Sequence, residues 1–307
     1  MSVECWTVDR LVEEYKQSQR STRGLREGTL VGYERLVRRF VLAALGEDPI
    51  DPSRLSASDV IAFVTVMQER FSACSMKAVR TALRSFLRYL RLRGLCDVQL
   101  ELSVPRVAHW RLSTLPRHLS GAELTRLLGS LNASGPCGRR DRAIVLCLAS
   151  LGLRPGESAN LTLEDIDWRA GSVLVRERKT RHGTVVPLPR DAGRAIVAYL
   201  RHERPVTDER RVFVKHHGVG RGQRLSGNTV SAAVVRALDR AGVASPVAGG
   251  YVLRHTVASR LVRRGASLKE VADFLGHRSL DTAAIYAKLD LDALREVAVP
   301  WPAQVTP

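Results

Sequence analysis

The sequence contains no apolar run long enough to cross a membrane, and it has few cysteines. Its most apolar uncharged run, Ala143–Leu153, has 11 residues, whereas a membrane-spanning helix needs about 20. The N-terminus carries Glu4 and Asp9 and lacks the apolar stretch of a signal peptide. The five cysteines form no Cys-x-x-Cys pair, which argues against a disulfide framework and a cysteine zinc site. These absences predict a protein of the reducing cytosol.

Lysine is also scarce, although the chain is strongly basic. Only six of the 48 lysine and arginine residues are lysine, and the net charge is +17. A charge of this size points to a polyanionic partner, and a guanidinium group binds phosphate through two parallel hydrogen bonds. With 307 residues, 45% hydrophobic and 26% charged, the chain is long enough and apolar enough for two globular domains.

The N-terminal third is predicted to be helical. Apolar residues recur at three- to four-residue spacing from Leu30 to Ala44 and again over residues 76 to 93, as in amphipathic helices. The second helix carries a stripe of basic residues, Lys77, Arg80, Arg84, Arg88 and Arg91. Like charges in one stripe repel each other unless an anion neutralises them, so we expect this stripe to face DNA. The alternative is a basic face that is simply solvated.

A second domain is predicted to begin after a break in this periodicity. Residues 103 to 117 contain Pro105 and Pro116 and no hydrophobic pattern, as is typical of a linker. A capping box at Ser120–Glu123 then opens a helix. Further elements are predicted as helices over 140–152, 190–202 and 227–241, a short helix opened by a capping box at Ser267–Glu270, and strands around Leu161–Trp168, Ser172–Arg176 and Thr184–Leu188. The expected division is a helical domain over 1–102, a linker over 103–117, a catalytic domain over 118–290 and a tail over 291–307.

Four residues in the second half of the sequence supply groups needed to cleave a phosphodiester. Arg154 lies in the run Leu-Arg-Pro-Gly-Glu, Arg254 in Leu-Arg-His-Thr and His277 in Gly-His-Arg-Ser, and Tyr286 follows nine residues later. In-line cleavage needs a nucleophile, cations around the nonbridging oxygens and a proton for the leaving oxygen. A phenol has a pKa of about 10, so it needs a strongly positive site in order to lose its proton.

In this order and at these separations, the motifs resemble those of the tyrosine recombinases of the phage-integrase family. The resemblance covers nearly the whole chain. It implies a mainly α fold with a small antiparallel β-sheet, in which a helical core-binding domain and an α+β catalytic domain clamp duplex DNA. It also implies that Tyr286 attacks a DNA strand to give a 3′-phosphotyrosine and a free 5′-hydroxyl. Arg154 and Arg254 are then the phosphate-binding arginines, and His277 donates to a phosphate oxygen.

The resemblance assigns roles to three further residues. Lys179, in a predicted hairpin, resembles the family's general acid for the 5′-oxygen, and Arg181 is the competing candidate. Glu157 matches the acidic residue that supports the first arginine in this family. His255 is expected to hydrogen-bond within the fold rather than to touch the substrate.

One position departs from the family pattern. Three residues before Arg254 the family most often has histidine, and this chain has Tyr251. A phenol can donate a hydrogen bond to the phosphate, but it is a poor general base near neutral pH. The sequence therefore leaves open which group activates Tyr286.

The resemblance also implies the partners of the protein. The first is double-stranded DNA that carries a specific recombination site. Four copies of the protein are expected to form a homotetramer on two such sites and to act through a four-way junction. A different, partner recombinase is also possible. Without DNA a monomer or weak oligomer is expected, in the bacterial cytoplasm, with no metal, nucleotide or other cofactor. Tyr251 and the tail indicate a recombinase carried on a mobile element, acting in integration, excision or transposition. The tail, with Trp301 between two prolines, is expected to dock either on a neighbouring protomer or on its own domain.

Two other functions remain compatible with the sequence. A noncatalytic DNA-binding relative, favoured by Tyr251, predicts salt-sensitive DNA binding without a covalent adduct. A type IB topoisomerase shares the chemistry but relaxes supercoils at arbitrary sequences as a monomer. A zinc site made from His255 and His277 is disfavoured, because no cysteine or carboxylate shares their spacing.

Overall fold

The computed structural model describes residues 6–96, 99–106, 116–132, 134–176, 183–247, 249–276 and 283–289. The chain divides into two compact units, residues 1–110 and 111–307. Within the described ranges, no helix combines the length and the apolar character that crossing a membrane requires.

The described part of the first unit is built from helices around an aromatic core. The helices are α1 (Val8–Arg23), α2 (Glu27–Leu45), α3 (Ala57–Arg70) and α4 (Ala73–Leu92). The helices predicted from Leu30 to Ala44 and over 76 to 93 are confirmed as α2 and α4. Phe86 of α4 is fully buried and meets Tyr15 edge to face, with ring centroids 5.3 Å apart. Such aromatic pairs add to the stabilisation that burial alone provides.

The second unit combines helices with one antiparallel sheet. Its helices are α5 (Gly121–Gly129), α6 (Gly138–Leu151), α7 (Pro155–Asn160), α8 (Arg190–His202), α9 (Gly227–Arg240), α10 (Tyr251–Arg263) and α11 (Leu268–Phe274). The strands β1 (Ile166–Asp167), β2 (Ser172–Arg176) and β3 (Gly183–Pro187) lie in the order β1-β2-β3. A short 3-10 segment covers Ala284–Leu289. The predicted fold class, mainly helical with a small antiparallel sheet, is confirmed.

Helix α6 lies at the centre of this unit and explains the uncharged run in the sequence. It packs against α8, α9 and α10, and Ile144, Val145 and Cys147 are completely buried. A helix that is apolar on all sides is stable only where other elements surround it. Cys147 is therefore a residue of the hydrophobic core.

Local signals set most of the element boundaries. Both predicted capping boxes form, at Ser120 with Glu123 and at Ser267 with Glu270. The strand predicted around Leu161–Trp168 is wrong in length, since only Ile166–Asp167 is extended. The Asp165 carboxylate accepts a hydrogen bond from the backbone N–H of Thr162 at 2.9 Å, which holds Leu163–Asp165 in a 3-10 turn instead.

Candidate active site

Arg154 and Arg254 both bind the backbone at the C-terminal end of α11. Arg154 is the residue before α7, and its Nη2 donates to the Gly276 carbonyl at 3.3 Å. Arg254 lies in the first turn of α10, and its Nη2 donates to the Leu275 carbonyl at 2.5 Å. Two residues that are 100 positions apart in the sequence therefore place their guanidinium groups on consecutive carbonyls. Both side chains line one narrow cleft.

Arg254 is a buried cation whose position depends on a glycine. Its Nη1 donates to the Gly152 carbonyl at 2.8 Å. Gly152 ends α6 with φ +63°, and a Cβ at this position would lie 2.7 Å from Leu275 Cδ2. Only glycine meets both requirements without displacing its neighbours. Burial, with a further contribution from the charge of Arg154, lowers the pKa of Arg254 to about 10, so the side chain stays charged at neutral pH.

Glu157 holds Arg154 in place from within α7. Its Oε2 accepts the backbone N–H of Arg154 at 2.7 Å, and its Oε1 accepts Nη1 of the same residue. The nearest approach to Arg254 is longer, with 3.8 Å between Nη1 and Oε2. Arg154 keeps 33% of its side chain exposed, so its fork remains accessible to an incoming anion. This geometry supports the expected buttressing role of Glu157.

Tyr286 is buried and forms a hydrogen bond with His255. Its hydroxyl lies 2.7 Å from His255 Nδ1, and only 1% of the residue is exposed. Burial raises the pKa of Tyr286 to about 12, and the charge of Arg254 partly offsets this rise. Burial lowers the pKa of His255, and Arg254 and His118 lower it further. In the neutral tautomer of His255 that carries its proton on Nε2, Nδ1 accepts this hydrogen bond and the phenol donates it.

The partner of His255 was missed at the level of the sequence. A hydrogen bond within the fold was predicted, but a separation of 31 residues from Tyr286 gives no periodic signal. The carbonyls of Gly152 and Leu275 were missed as well. A glycine two residues before Arg154 was the available signal, because glycine in the left-handed region commonly ends a helix.

Tyr251 opens α10 one turn before Arg254 and is 48% exposed. Its hydroxyl is close enough to act electrostatically on Arg254. Tyr251 therefore belongs to the same end of α10 as the arginine, whereas Tyr286 lies in the interior.

Several predicted residues lie outside the described residues: Lys179, Arg181, His277, the tail 291–307 and most of the linker 103–117. The neighbouring described residues are informative for two of them. Val175 of β2 and Thr184 of β3, which pair with each other, line the cleft that contains the two arginines. Leu275 and Gly276 line the same cleft.

The basic stripe of α4 is not uniformly exposed. Lys77 and Arg88 are exposed, whereas Arg80 is buried. Arg84 Nη2 donates to the Val104 carbonyl at 2.8 Å, and Arg91 Nε donates to Glu101 at 3.0 Å. Part of the charge repulsion along the stripe is therefore relieved inside the protein, and the role of the stripe in DNA binding remains a prediction.

Comparison with known proteins identifies the family that the chain matches. Residues 117–292 match the phage integrase family, and residues 12–94 match the N-terminal SAM-like domain of phage integrases. The integrase/recombinase y4rA of Sinorhizobium fredii is 42% identical over 297 residues, which are 97% of this chain and 72% of that protein. The tyrosine recombinase XerD of Mycobacterium tuberculosis is 31% identical over 292 residues, or 90% of this chain and 91% of XerD.

Solved structures show the same fold. The XerH recombinase bound to its palindromic difH substrate superimposes with a TM-score of 0.73 at 20% identity, over 96% of this chain and 85% of XerH. A lambda integrase dimer bound to a COC′ core site gives a TM-score of 0.67 at 20% identity, over 92% and 95%. From the family match over most of its length, the chain belongs to the phage integrase family and is a tyrosine-type site-specific recombinase.

Proposed function

We propose that the protein cleaves and rejoins DNA at a specific site through a covalent bond between Tyr286 and the 3′-phosphate. One observation carries this proposal: α10 bears both Arg254, which meets Arg154 at the carbonyls of Leu275 and Gly276, and His255, which hydrogen-bonds the buried phenol of Tyr286. The phenol is close enough to Arg254 for the positive charge to lower its pKa. The covalent intermediate stores the energy of the broken phosphodiester, so that religation needs no nucleotide.

The two arginines are proposed to bind the scissile phosphate. Their donors are held by backbone carbonyls and by Glu157, so little reorganisation is needed when charge develops on the phosphorus oxygens. A preorganised donor of this kind contributes about 3 to 4 kcal/mol to transition-state stabilisation. Tyr251, half exposed at the start of α10, is proposed to donate a further hydrogen bond to the phosphate.

Lys179 and His277 complete the proposed reaction. Lys179 protonates the leaving 5′-oxygen, and His277 donates to a nonbridging oxygen. The pairing of Val175 with Thr184 beside the arginines supports Lys179, which belongs to the connection between these two strands.

We further propose that four copies act on two DNA sites through a four-way junction. The domains would be the helical DNA-binding domain 1–102, the linker 103–117, the catalytic domain 118–290 and the tail 291–307, and the first and third would clamp the duplex. A lambda integrase tetramer has been solved on a Holliday junction, and a Tn1549 transposon integrase shares the fold. These likenesses support the tetramer and a role in the movement of a mobile element. We further propose that the protein acts in the bacterial cytoplasm.

The test begins with selection of the DNA site. Duplexes are selected from a random pool by retention on the full-length Tyr286→Phe variant, which keeps the binding surface. Synthetic duplexes of the selected sequence, each with a nick at a different position, are then incubated with the wild-type protein. We expect an SDS-resistant protein–DNA adduct, because the short fragment released at the nick cannot religate.

Two tyrosine variants test which tyrosine is the nucleophile. Tyr286→Phe is expected to abolish the adduct, whereas Tyr251→Phe is expected to slow its formation only. The opposite pattern would show that Tyr251 is the nucleophile. Relaxation of a supercoiled plasmid that lacks the selected site would indicate topoisomerase activity instead.

A further inference from the structure

We propose that His255 is the general base that accepts the proton of Tyr286 during strand cleavage. The inference rests on the proposed function and answers the question that Tyr251 raises, because this chain lacks the usual histidine three residues before Arg254. His255 thereby becomes a catalytic residue in addition to the phosphate-binding, proton-donating and nucleophilic groups described above.

Helix α10 provides the geometry. Successive residues of a helix point about 100° apart, so Arg254 and His255 face different neighbours. Arg254 reaches the carbonyls of Gly152 and Leu275, while His255 Nδ1 reaches the Tyr286 hydroxyl at 2.7 Å. One helix therefore carries both a phosphate-binding cation and the acceptor for the proton of the nucleophile.

The environment of Tyr286 makes a base necessary. The phenol is buried and its pKa is raised to about 12, so very little phenolate exists near neutral pH. Glu157, the carboxylate nearest to the two arginines, has its oxygens engaged by Arg154. Among the residues that the structure describes, His255 is the group whose nitrogen is hydrogen-bonded to the reacting oxygen.

The environment of His255 keeps it ready to accept a proton. The charged and titratable groups facing it are Arg254 on the same helix, His118 before α5 and Tyr286 on the 3-10 segment. Burial and the first two of these groups lower the pKa of His255, so its ring is neutral at pH 7. A phosphate bound to Arg254 offsets the charge of that arginine, which favours proton uptake once the substrate is in place.

The step is balanced in atoms and charge. The Oη–H bond of Tyr286 breaks and its proton passes to the lone pair of His255 Nδ1, while the phenol oxygen forms a bond to phosphorus. The bond from phosphorus to the 5′-oxygen breaks, and that oxygen takes a proton from Lys179. In religation the 5′-oxygen attacks phosphorus and its proton returns to Lys179. The bond from phosphorus to the Tyr286 oxygen breaks, and the imidazolium returns its proton to the phenol.

The activity test uses the full-length protein and the selected nicked duplex. Asparagine at position 255 can keep an acceptor near Nδ1 but takes up no proton at neutral pH. His255→Asn is expected to slow adduct formation about 10²- to 10⁴-fold, the usual contribution of a general base. We expect the wild-type rate to decrease as the pH falls below 6.5, the ordinary pKa of histidine, and we expect His255→Asn to lose this decrease.

A chemical rescue separates catalysis from folding. Added imidazole is expected to restore adduct formation by His255→Ala, because the free base can enter the vacated space, whereas a protein that failed to fold would not respond. His202→Ala, which removes an exposed histidine at the end of α8, is the matched control and should show neither the defect nor the rescue. Wild-type rates with an unchanged pH profile in His255→Asn, or a rate defect in His255→Ala that imidazole does not relieve, would overturn the inference.

A second measurement needs no DNA. With 3-fluorotyrosine at position 286, the fluorine NMR shift is expected to titrate with His255 in the wild-type background and to lose that transition in His255→Asn. If the fluorine shift does not change as His255 titrates, the hydrogen bond between the two residues is absent and the inference is wrong. If the shift follows His255 but no adduct forms on any duplex, the proposed function has failed; if adducts form equally well without His255, this inference alone has failed.

Discussion

The described residues of the second unit include two clusters in which two arginines lie beside one carboxylate, and the clusters differ in which groups that carboxylate binds. Between α6 and α9, Asp141 accepts Arg140 Nη2 at 2.9 Å through Oδ1 and Arg236 Nη2 at 2.6 Å through Oδ2. Both oxygens of Asp141 therefore bind side-chain cations. In the candidate active site, Glu157 instead binds the side chain and the backbone of one arginine, Arg154.

The difference shows how a structural ion cluster and an anion-binding site can be told apart. Arg254 has no carboxylate oxygen closer than 3.8 Å among the described residues, and it is held by neutral carbonyls. Carbonyls satisfy its donors without neutralising its charge. The cation is therefore oriented but still able to stabilise a phosphate, whereas Asp141 neutralises part of the charge around it.

The largest expected effect is on catalysis. Replacing Arg254 with lysine keeps the charge but removes the planar fork that binds two carbonyls, and lysine is a poor substitute at such sites. Adduct formation is expected to fall about 10²- to 10³-fold, the usual cost of losing one preorganised donor. Single-turnover cleavage of the selected duplex measures it. A loss below threefold would contradict the assignment of Arg254 to the phosphate.

The second-largest expected effect is a loss of folding stability when the Asp141 cluster is changed. Asp141→Asn leaves Arg140 buried without its charged partner, which costs about 3 to 5 kcal/mol for a broken buried pair. Denaturant unfolding is expected to show this loss, while the cleavage rate per folded molecule stays within about twofold. A large fall in that rate would mean that the two clusters are not functionally distinct.

Glu157→Gln probes the carboxylate of the active site with a smaller effect. The amide keeps an acceptor for the backbone of Arg154 but loses the charge-assisted bond to its guanidinium. Hydrogen bonds to charged groups contribute about 1.5 to 3 kcal/mol, so cleavage is expected to slow roughly 10- to 100-fold. DNA binding by the Tyr286→Phe, Glu157→Gln double variant should remain close to that of Tyr286→Phe.

The smallest expected effect is a pH dependence of stability. Burial lowers the pKa values of His216 and His255, so the unfolded chain binds protons below 6.5 that the folded chain does not bind. The free energy of unfolding therefore decreases as the pH falls from 6.5 towards the folded-state pKa values. His216→Gln is expected to flatten this part of the curve, and thermal unfolding between pH 8 and pH 5.5 measures the change. A slope that stays the same in the variant would exclude His216 as its source.

Much of the fold follows from local patterns in the sequence. The capping residues Ser120 and Ser267 precede helices, and apolar residues that recur every three to four positions predict α2 and α4. The prediction of a strand around Leu161–Trp168 was wrong in length because the Asp165 side chain hydrogen-bonds the backbone of Thr162 and favours a turn. The alternation of hydrophobic residues gives no information about such a hydrogen bond.

The sequence by itself showed the order of the motifs and indicated the family, and from these it predicted the nucleophile and its two arginines. Only the tertiary structure decided that Arg254 is held by carbonyls, that Asp141 rather than Glu157 neutralises two side chains, and that His255 contacts Tyr286. The physical reason is that periodicity specifies which face of a helix is buried. The hydrogen-bond partners of a side chain are specified by the packing of helices that are distant in sequence.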